Sequence, residues 1–362
     1  MIKILRISNH PSENKHGVGL HPSIISNNYE FETTFVCPSL NNNDNYLEPE
    51  NYKLVPSKVK FEKRPTNVTL LKEVFFHFKR IYKLSVFSFF SIRVARKNKV
   101  DLVHIHSPMY LMVLVWGKLF GKLTCITYHG TDYLRIKDSK IYNFLSKHFI
   151  DIGFCISPHM LNKMKNNHNE VIYVPNGINT NFFYNRKEKR EKIILAVGSL
   201  KKEKSYNNLI KAFKDISKFD KDFELHIAGD GDLKSDLELL VQEEKLDKKV
   251  IFCGNLKLTE LVDKYNSAEC FILSSYTEGF PKVVLEAVFC GCKVVATDVG
   301  SVKTLLPDKY LIPNDSVNNL IKYMKKIIHE DNYHIDKEKL KSIYTWPNVI
   351  DKYKKTYEIN LK

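Results

Sequence analysis

A doubly wound α/β fold in two domains is predicted by three observations on this sequence of 362 residues. Short runs rich in apolar and β-branched residues alternate with helical patterns, as in parallel sheets that carry helices on both faces. The runs form two series, which are separated by the turn sequence Pro175-Asn176-Gly177 and a charged segment after it. The length exceeds that of an average single domain, so we expect a separate core for each series.

The predicted strands are short, and each precedes a helical pattern. In the first half they are Ile2–Ile7, Thr33–Cys37, Leu102–His106, Leu123–Tyr128, Ile152–Ile156 and Val171–Val174. In the second half they are Ile193–Val197, Phe223–Ala228, Val250–Phe252, Cys270–Leu273 and Lys293–Thr297. We expect a first domain at residues 1–186 and a second at 187–342.

The composition is that of a folded, water-soluble protein, with 43% hydrophobic and 27% charged residues. We expect no transmembrane helix, because no run of about 18 uncharged apolar residues occurs. The seven cysteines are scattered through apolar runs. They favour reduced thiols in a cytoplasmic protein over a disulfide framework. Cys290-Gly-Cys292 lacks a second pair, so no metal site is expected.

The positive charge is concentrated in the first half. Residues 1–186 hold 25 Lys and Arg against 13 Asp and Glu, whereas residues 187–362 hold 31 against 28. An anionic ligand, a membrane surface or a nucleic acid are the partners that such an excess favours. No nucleic-acid recognition motif accompanies it, so we expect no nucleic-acid partner.

The stretch TEGFPKVVLEAVFCG, residues 277–291, places Glu278 and Glu286 on either side of a predicted helix start. The helix is expected to begin near Pro281, since proline is favoured in a first turn. Gly279 permits close backbone approach, and the N–H groups of residues 280–284 offer an anion site suited to phosphate.

The two carboxylates suit sugar hydroxyls. Glu286 lies about one turn into the helix, where it can accept hydrogen bonds from the paired hydroxyls of a ribose. Glu278, on the loop, can hold the hydroxyls of a second sugar. The alternative is that both are surface acids near a helix N-terminus, where acidic residues are common.

Other predicted strands end in glycine or polar loops that would share the same edge of the sheet. Gly198 precedes a basic loop, and Gly254, Asn255 and Leu256 follow a further strand. The remaining members of the set are Lys201, Lys202, Lys204, Gly229, Asp230, Gly231 and the ATDVGS run at 296–301.

In these motifs the second half resembles the nucleotide-sugar-binding domain of family-4 retaining glycosyltransferases, which have the GT-B fold of two Rossmann-like domains facing across a cleft. The matching positions are Gly198, Lys204, Ala228–Gly231, Phe252, Gly254, Ser274, Ser275, Glu278–Phe280 and Glu286. The first half is similar to the family in DLVHIHSP, TYHGTD and VPNGIN. Residues 343–362 resemble the family's closing helix, which crosses back to the first domain.

The resemblance implies roles for individual residues. The expected catalytic residues are His129, Lys204 and Glu278, with Lys204 neutralising the leaving diphosphate. The expected contacts with the nucleotide-sugar donor are Gly17, Gly19, Ser199, Lys204, Gly254, Asn255, Leu256, Glu278, Gly279, Phe280, Pro281, Lys282, Val283 and Glu286. Two departures affect the phosphate site: Ser199 replaces the family's arginine, and Ser205 replaces a glycine.

The expected activity is transfer of a hexosyl or N-acetylhexosaminyl group, with retention of configuration, from a UDP- or GDP-sugar to a glycan or lipid-linked acceptor. No metal and no further cofactor are expected. Bacterial surface polysaccharide or lipopolysaccharide synthesis is the expected setting, at the inner face of the cytoplasmic membrane. The alternatives are a sugar-nucleotide epimerase of the same fold and a degenerate nucleotide-sugar-binding protein, which the serine at position 199 alone suggests.

The histidines differ in their expected roles. His129 stands at a strand end and is the favoured functional residue. His104 and His106 alternate on a predicted strand, and we expect one to pack in the core while the other reaches the cleft.

The segment 69–99 predicts a helix with eight Lys and Arg against one acid. A helical wheel places Lys72, Lys79, Arg80 and Lys83 in one sector with Phe76, Phe87 and Phe90, which favours contact with an anionic membrane surface. The opposite side, expected to pack on the sheet, holds Leu70, Leu71, Val74, Phe78, Ile81 and Phe89. The alternative is a helix buried on both sides whose lysines extend to water.

Overall fold

The computed structural model describes residues 1–8, 20–39, 51–61, 70–129, 133, 136–165 and 168–362. The chain forms two compact units. The first comprises Met1–Pro175 and Val349–Lys362, and the second comprises Asn176–Asn348. The C-terminal residues therefore belong to the same unit as the N-terminus.

The charged segment that follows Pro175 is part of the second unit. The Nη1 atom of Arg190 donates to the carbonyl oxygens of Tyr265 (3.0 Å) and Ala268 (2.5 Å). Ile178 pairs with Thr345 in an isolated parallel bridge. The sequence placed the domain boundary after residue 186, because a charged and non-periodic segment does not disclose such contacts.

The first unit is built on a sheet of seven parallel strands in the order β3-β2-β1-β4-β5-β6-β7. The strands are β1 Ile2–Ile7, β2 Phe31–Cys37, β3 Tyr52–Pro56, β4 Leu102–Ile105, β5 Leu123–Tyr128, β6 Ile152–Cys155 and β7 Glu170–Tyr173. Its described helices are α1 Leu20–Ser26, α2 Leu70–Lys97, α3 Leu111–Leu119, α4 Lys140–Phe149 and α5 Pro158–Met164. The last helix, α12 Trp346–Asn360, belongs to this unit from Val349 onward.

The second unit is built on six parallel strands in the order β10-β9-β8-β11-β12-β13. The strands are β8 Glu191–Val197, β9 Glu224–Ala228, β10 Val250–Gly254, β11 Ala268–Leu273, β12 Lys293–Thr297 and β13 Leu311–Ile312. Its helices are α6 Tyr206–Phe219, α7 Lys234–Glu243, α8 Leu258–Ser267, α9 Lys282–Phe289, α10 Val317–Ile328 and α11 Lys337–Tyr344.

Both units confirm the predicted doubly wound α/β class, since each sheet has the strand order 3-2-1-4-5 of a Rossmann-like fold when its strands are counted from its own first strand. The sequence missed two strands. The side chains of β3 are mostly half-buried or exposed at the sheet edge, and β13 has two residues. Neither gives the continuous apolar run by which a buried parallel strand is recognised.

The strand order fixes where ligands are expected. In a doubly wound sheet the crevice opens at the carboxyl ends of the strands where the order reverses. That point lies between β1 and β4 in the first unit and between β8 and β11 in the second. Lys204 and Glu278 lie in the loops after β8 and β11, whereas His129 follows β5 and Asn255 and Leu256 follow β10.

The expected orientation of α2 is wrong. Phe78, Ile81 and Phe89 were expected to pack on the sheet but are 69%, 61% and 69% exposed, whereas Phe87 is fully buried. The buried face of α2 also carries small residues, among them Ser88, Ser91 and Ala95. Apolar residues occur on every side of α2, so a helical wheel does not show which of its apolar faces packs against the rest of the unit.

Candidate active site

The centre of the candidate site in the second unit is an ion pair between Lys204 and Glu278. Lys204 follows β8 and Glu278 follows β11, which are adjacent strands, so the switch point brings together residues 74 positions apart. The Lys204 Nζ atom lies 2.5 Å from Glu278 Oε1, and both side chains are largely buried. Ser275 Oγ donates to the same carboxylate oxygen at 2.7 Å. A largely buried pair with a supporting hydroxyl holds both charges in fixed positions.

The loop around Lys204 is anchored on both sides. Ser274 Oγ donates to the carbonyl oxygen of Lys204 at 2.8 Å. Ser205 has a φ of 52°, in the left-handed region, and its hydroxyl donates to Asp315 at 2.6 Å. Serine thus adopts here the conformation for which glycine is the usual residue, and the bond to Asp315 compensates part of the conformational cost.

The loop that carries Glu278 packs against the turn after β12. Ser301 donates to the Gly279 carbonyl through its backbone N–H (3.1 Å) and its hydroxyl (3.0 Å). A Cβ atom on Gly300 would lie 2.4 Å from the carbonyl oxygen of Glu278. Gly300 is therefore required for close backbone approach, and this approach positions Glu278.

We expect Gly300→Ala to lower the melting temperature of the second unit more than Gly254→Ala does. Both residues have a positive φ, 57° and 65°, so an alanine costs about 1–2 kcal/mol at either position. Only at Gly300 does the new methyl group also collide with backbone, because at Gly254 nothing lies within 4 Å. Equal melting temperatures in a calorimetric scan of the two variants would show that the Glu278 loop does not depend on this approach.

The remaining strand-end loops interlock through backbone contacts. Gly229 donates its N–H to the Gly254 carbonyl (2.8 Å), and a Cβ atom on Gly229 would lie 2.0 Å from the Gly198 carbonyl oxygen. The loops after β8, β9 and β10 therefore form one surface. Of the predicted donor contacts on it, Ser199 and Asn255 are exposed and Leu256 is half-buried.

Glu286 is buried on α9 and accepts a hydrogen bond from the hydroxyl of Tyr265 on α8, at 3.0 Å. Burial raises the pKa of the Tyr265 hydroxyl well above its ordinary value, and the neighbouring Glu286 carboxylate raises it further. The tyrosine therefore stays protonated and donates to one carboxylate oxygen, Oε2. The sequence did not predict this contact, because the two residues lie on different helices.

Helix α9 begins at Lys282, one residue after Pro281. The N–H groups of Lys282 and Val284 donate to the carbonyls of Phe280 and Pro281, so part of the predicted phosphate-binding set is engaged in a turn. Phe280 and Pro281 are buried, while Gly279 and Val283 are half-buried. Burial lowers the pKa of the half-buried Lys282 ammonium, and Glu286 opposes that effect.

A cluster of histidines occupies the switch point of the first unit. His106 Nδ1 lies 3.3 Å from His129 Nε2, and His21 packs against both rings. His104 and His106 stack with ring centroids 4.5 Å apart. The expectation that these two would lie on different sides of the strand is wrong, since side chains two residues apart point to the same face.

Arg6 on β1 determines the hydrogen-bonding direction in this cluster. Its buried Nη1 atom lies 3.3 Å from His104 Nδ1 and 3.1 Å from His106 Nε2. Because arginine only donates, both imidazole nitrogens accept. A neutral His106 then carries its proton on Nδ1 and donates it to His129 Nε2. Arg6 and His21 were not predicted as site residues from the sequence. The arginine within the apolar strand IKILRI is nevertheless a signal, since buried arginine is rare.

The nitrogen atoms of His21, His106 and His129 that could bind a metal ion lie within 4.8 Å of one another. A metal-bound histidine normally donates its second N–H to an acceptor. His106 would instead face the Arg6 donor with its second nitrogen. The hydrogen-bonding pattern therefore favours a relay from Arg6 through His106 to His129 over a metal site.

Gly17 and Gly19, which the sequence placed near the phosphates of the nucleotide sugar, lie outside the described residues.

We expect the first unit to lose stability below about pH 6.5. Burial is the main cause that lowers the pKa of His104 and His106 well below the ordinary 6.5, and that of His168 to about 4. As the pH falls, the unfolded chain therefore takes up these protons before the folded chain does. Each histidine lowers the free energy of unfolding by up to about 1.4 kcal/mol per pH unit.

The melting temperature should accordingly fall from pH 7 to pH 5, and His104→Gln should reduce its slope against pH. The exposed His159 provides a matched control, because His159→Gln should leave that slope unchanged. A melting temperature that is constant from pH 7 to pH 5 would contradict the neutral cluster.

Comparison with known proteins decides the family. The profile described as Glycosyltransferase Family 4 matches residues 31–182, and that described as Glycosyl transferases group 1 matches residues 177–342. The chain belongs to the family-4 type of GT-B glycosyltransferases. The solved structure of Anabaena HepE in complex with UDP and glucose superposes on this glycosyltransferase with a TM-score of 0.76 at 14% identity, covering 99% of this chain and 100% of that one.

Two named relatives are similar to this chain over different lengths. The gpi3 subunit of phosphatidylinositol N-acetylglucosaminyltransferase from Schizosaccharomyces pombe is 25% identical over 76% of this glycosyltransferase, and the match spans 65% of the relative's length. The second relative, from Campylobacter jejuni, is 33% identical over 39% of this chain and 39% of its own. It is N-acetylgalactosamine-N,N'-diacetylbacillosaminyl-diphospho-undecaprenol 4-alpha-N-acetylgalactosaminyltransferase.

Proposed function

We propose that this glycosyltransferase moves a hexosyl or N-acetylhexosaminyl group from a nucleotide-diphosphate sugar to a lipid-linked or glycan acceptor, with retention of anomeric configuration. The Lys204–Glu278 pair at the β8/β11 switch point is the observation that carries the proposal. In this pair the Lys204 ammonium would neutralise the leaving diphosphate, and the adjacent Glu278 carboxylate would accept hydrogen bonds from the sugar hydroxyls. We further propose that the enzyme works at the inner face of the cytoplasmic membrane, in surface polysaccharide or lipopolysaccharide synthesis.

The donor would lie along the strand ends of the second unit. The Glu286 carboxylate accepts from Tyr265 through one oxygen and has a second oxygen that can accept from the ribose. An ammonium group has three N–H donors, and the contact with Glu278 uses one of them, so Lys204 can also donate to phosphate oxygens. Gly254, Asn255 and Leu256 would contact the base.

The reaction exchanges one bond for another at the anomeric carbon. The bond to the diphosphate oxygen breaks and the bond to the acceptor oxygen forms, while the acceptor proton passes to the leaving phosphate. Negative charge develops on that phosphate, where a fixed cation stabilises the transition state more than the ground state. With Ser199 in place of an arginine, Lys204 and the neighbouring exposed Lys201 and Lys202 would supply the positive charge. We also propose that His129, the histidine favoured by the family resemblance, contacts the reacting sugar.

Two comparisons support the substrate class. The Anabaena structure contains UDP and glucose, which favours a UDP-sugar as donor. The names of the two relatives describe acceptors built on phosphatidylinositol and on a diphospho-undecaprenol glycan, which favours a lipid-linked acceptor. The second name also specifies an α-linkage. An α-linked product formed from an α-linked nucleotide sugar corresponds to retention.

The experiment that tests the proposal has two stages. UDP- and GDP-sugars are first screened for thermal stabilisation of the chain, and a bound donor at one hundred times its Kd should contribute about 2.7 kcal/mol. The stabilising donor is then incubated with acceptors, and the anomeric proton coupling of the product is compared with that of the donor. An inverted product would overturn retention, and stabilisation by no nucleotide sugar would overturn the donor assignment.

A further inference from the structure

Helix α2 of the first unit presents an exposed apolar stripe to solvent. Its large residues follow the three- and four-residue spacing of one helix face: Phe75, Phe78, Tyr82, Val86 and Phe89. The four aromatic rings are each about 70% exposed. With roughly 200 Å² of surface for each ring, they expose on the order of 500 Å² of largely apolar area. Patches of this size on a soluble protein mark interaction sites.

The same helix face continues into positive charge. Arg93 and Arg96 follow Phe89 at the next two positions of the stripe and are exposed. Helix α2 holds seven Lys and Arg residues, and Glu73 is its single acid. The charge therefore opposes a basic partner and complements an anionic one.

Helix α3 packs against α2 and widens the apolar surface. Met112, Trp116, Leu119 and Phe120 are each at least 42% exposed. The Arg96 guanidinium lies 5.2 Å from the centroid of the Phe120 ring, and the Trp116 and Phe120 rings stack at 6.3 Å. Aromatic rings beside cations are typical of a surface placed at the boundary between lipid chains and headgroups.

A cavity of about 370 Å³ opens between the two helices at this point. Its walls are mostly apolar, and two guanidinium groups contribute to them. The lining residues are Phe89, Ile92, Arg93, Arg96, Trp116 and Phe120. The arrangement suits one lipid chain against the rings with its phosphate beside the arginines.

We propose that the α2–α3 face of the first unit docks on an anionic lipid bilayer, with the cavity receiving one lipid chain. Charge complementarity and the apolar stripe carry the proposal. It rests on the proposed function only in that a docked enzyme would meet a lipid-linked acceptor. Among the described residues no helix has both the length and the apolarity needed to cross a membrane.

The test is vesicle flotation of the full chain without any sugar. Vesicles of phosphatidylcholine are compared with vesicles that contain phosphatidylglycerol, at low and high salt. We expect binding to the anionic vesicles only and weakening by salt. Binding should fall at least tenfold in the triple variant Phe78→Ser, Tyr82→Ser, Phe89→Ser. In Arg93→Gln, Arg96→Gln it should fall about fivefold for each charge removed.

A matched control replaces three exposed apolar residues outside α2 and α3, in Tyr29→Ser, Leu239→Ser, Ile359→Ser; their exposed fractions are 78%, 57% and 71%. This control should bind vesicles like the parent chain, and circular dichroism melting checks that every variant is folded. Failure of the parent chain to bind anionic vesicles, or equal binding by the stripe variant, would overturn the proposal.

Sedimentation of the parent chain identifies a competing occupant. A dimer that the stripe replacements dissociate, without vesicle binding by the parent, would assign the face to a second copy of the chain and overturn the membrane proposal. Loss of vesicle binding with intact transfer to a soluble acceptor would leave the proposed function standing. Vesicle binding without any transfer would instead remove the proposed function alone.

Discussion

Replacing Lys204 by alanine is expected to lower the turnover of sugar transfer by about 10²–10³-fold, the usual cost of removing one fixed transition-state donor. The ammonium is the cation that the fold holds beside Glu278, where charge on the leaving diphosphate would develop. Lys204→Arg keeps the charge and should retain part of the activity. The measurement is initial-rate kinetics at saturating donor.

Two exposed lysines of the same loop provide the control for this prediction. Lys201→Ala and Lys202→Ala should each change the rate much less than Lys204→Ala. A normal rate in Lys204→Ala, together with a loss in one of these two variants, would transfer the role to that lysine. Because Glu278 loses its partner in Lys204→Ala, melting curves must show that the second unit remains folded.

Replacing Glu286 by glutamine is expected to weaken nucleotide binding about ten- to a hundredfold. Charge-assisted hydrogen bonds contribute about 1.5–3 kcal/mol, and the amide offers the ribose hydroxyls a neutral acceptor in place of a carboxylate. Isothermal calorimetry with UDP or GDP measures the effect without requiring an acceptor.

The structure supplies a second role for Glu286 and therefore a matched control. Tyr265→Phe removes the 3.0 Å hydrogen bond to this carboxylate but leaves its charge. We expect Tyr265→Phe to weaken nucleotide binding less than Glu286→Gln does, because the carboxylate keeps both its charge and the second oxygen that can accept from the ribose. Equal nucleotide affinities in Glu286→Gln and the parent chain would contradict ribose binding by Glu286 and leave its hydrogen bond with Tyr265 as its role.

The sequence predicted the second unit closely because its loops carry short-range signals. Gly198, Lys204, Glu278 and Gly254 stand at fixed offsets from apolar runs, so that a strand followed by a glycine or charged loop already indicates a strand end. Two strands were not predicted. In the second unit β13 has only two residues, and in the first unit β3 is a partly exposed edge strand.

Features that depend on contacts between distant elements were not predictable. Arg6 meets His104 and His106 only because β1 and β4 are neighbours, which the sequence does not specify residue by residue. The face of α2 was assigned wrongly, since Phe78 and Phe87 are equally apolar. Phe87 is the buried one, and its ring packs against Tyr110 and Phe61, contacts that a helical wheel does not show.

The most direct test of the central claim follows the sugar itself. The chain is incubated with the stabilising donor, labelled in its sugar, and with lipid-linked or glycan acceptors. We predict that label moves to the acceptor fraction in equal amount to the nucleoside diphosphate formed, and that Lys204→Ala suppresses both. Label that remains on the nucleotide in an altered sugar would instead indicate an epimerase. Donor that is bound but unchanged with every acceptor would indicate a binding protein, and either result would contradict the account.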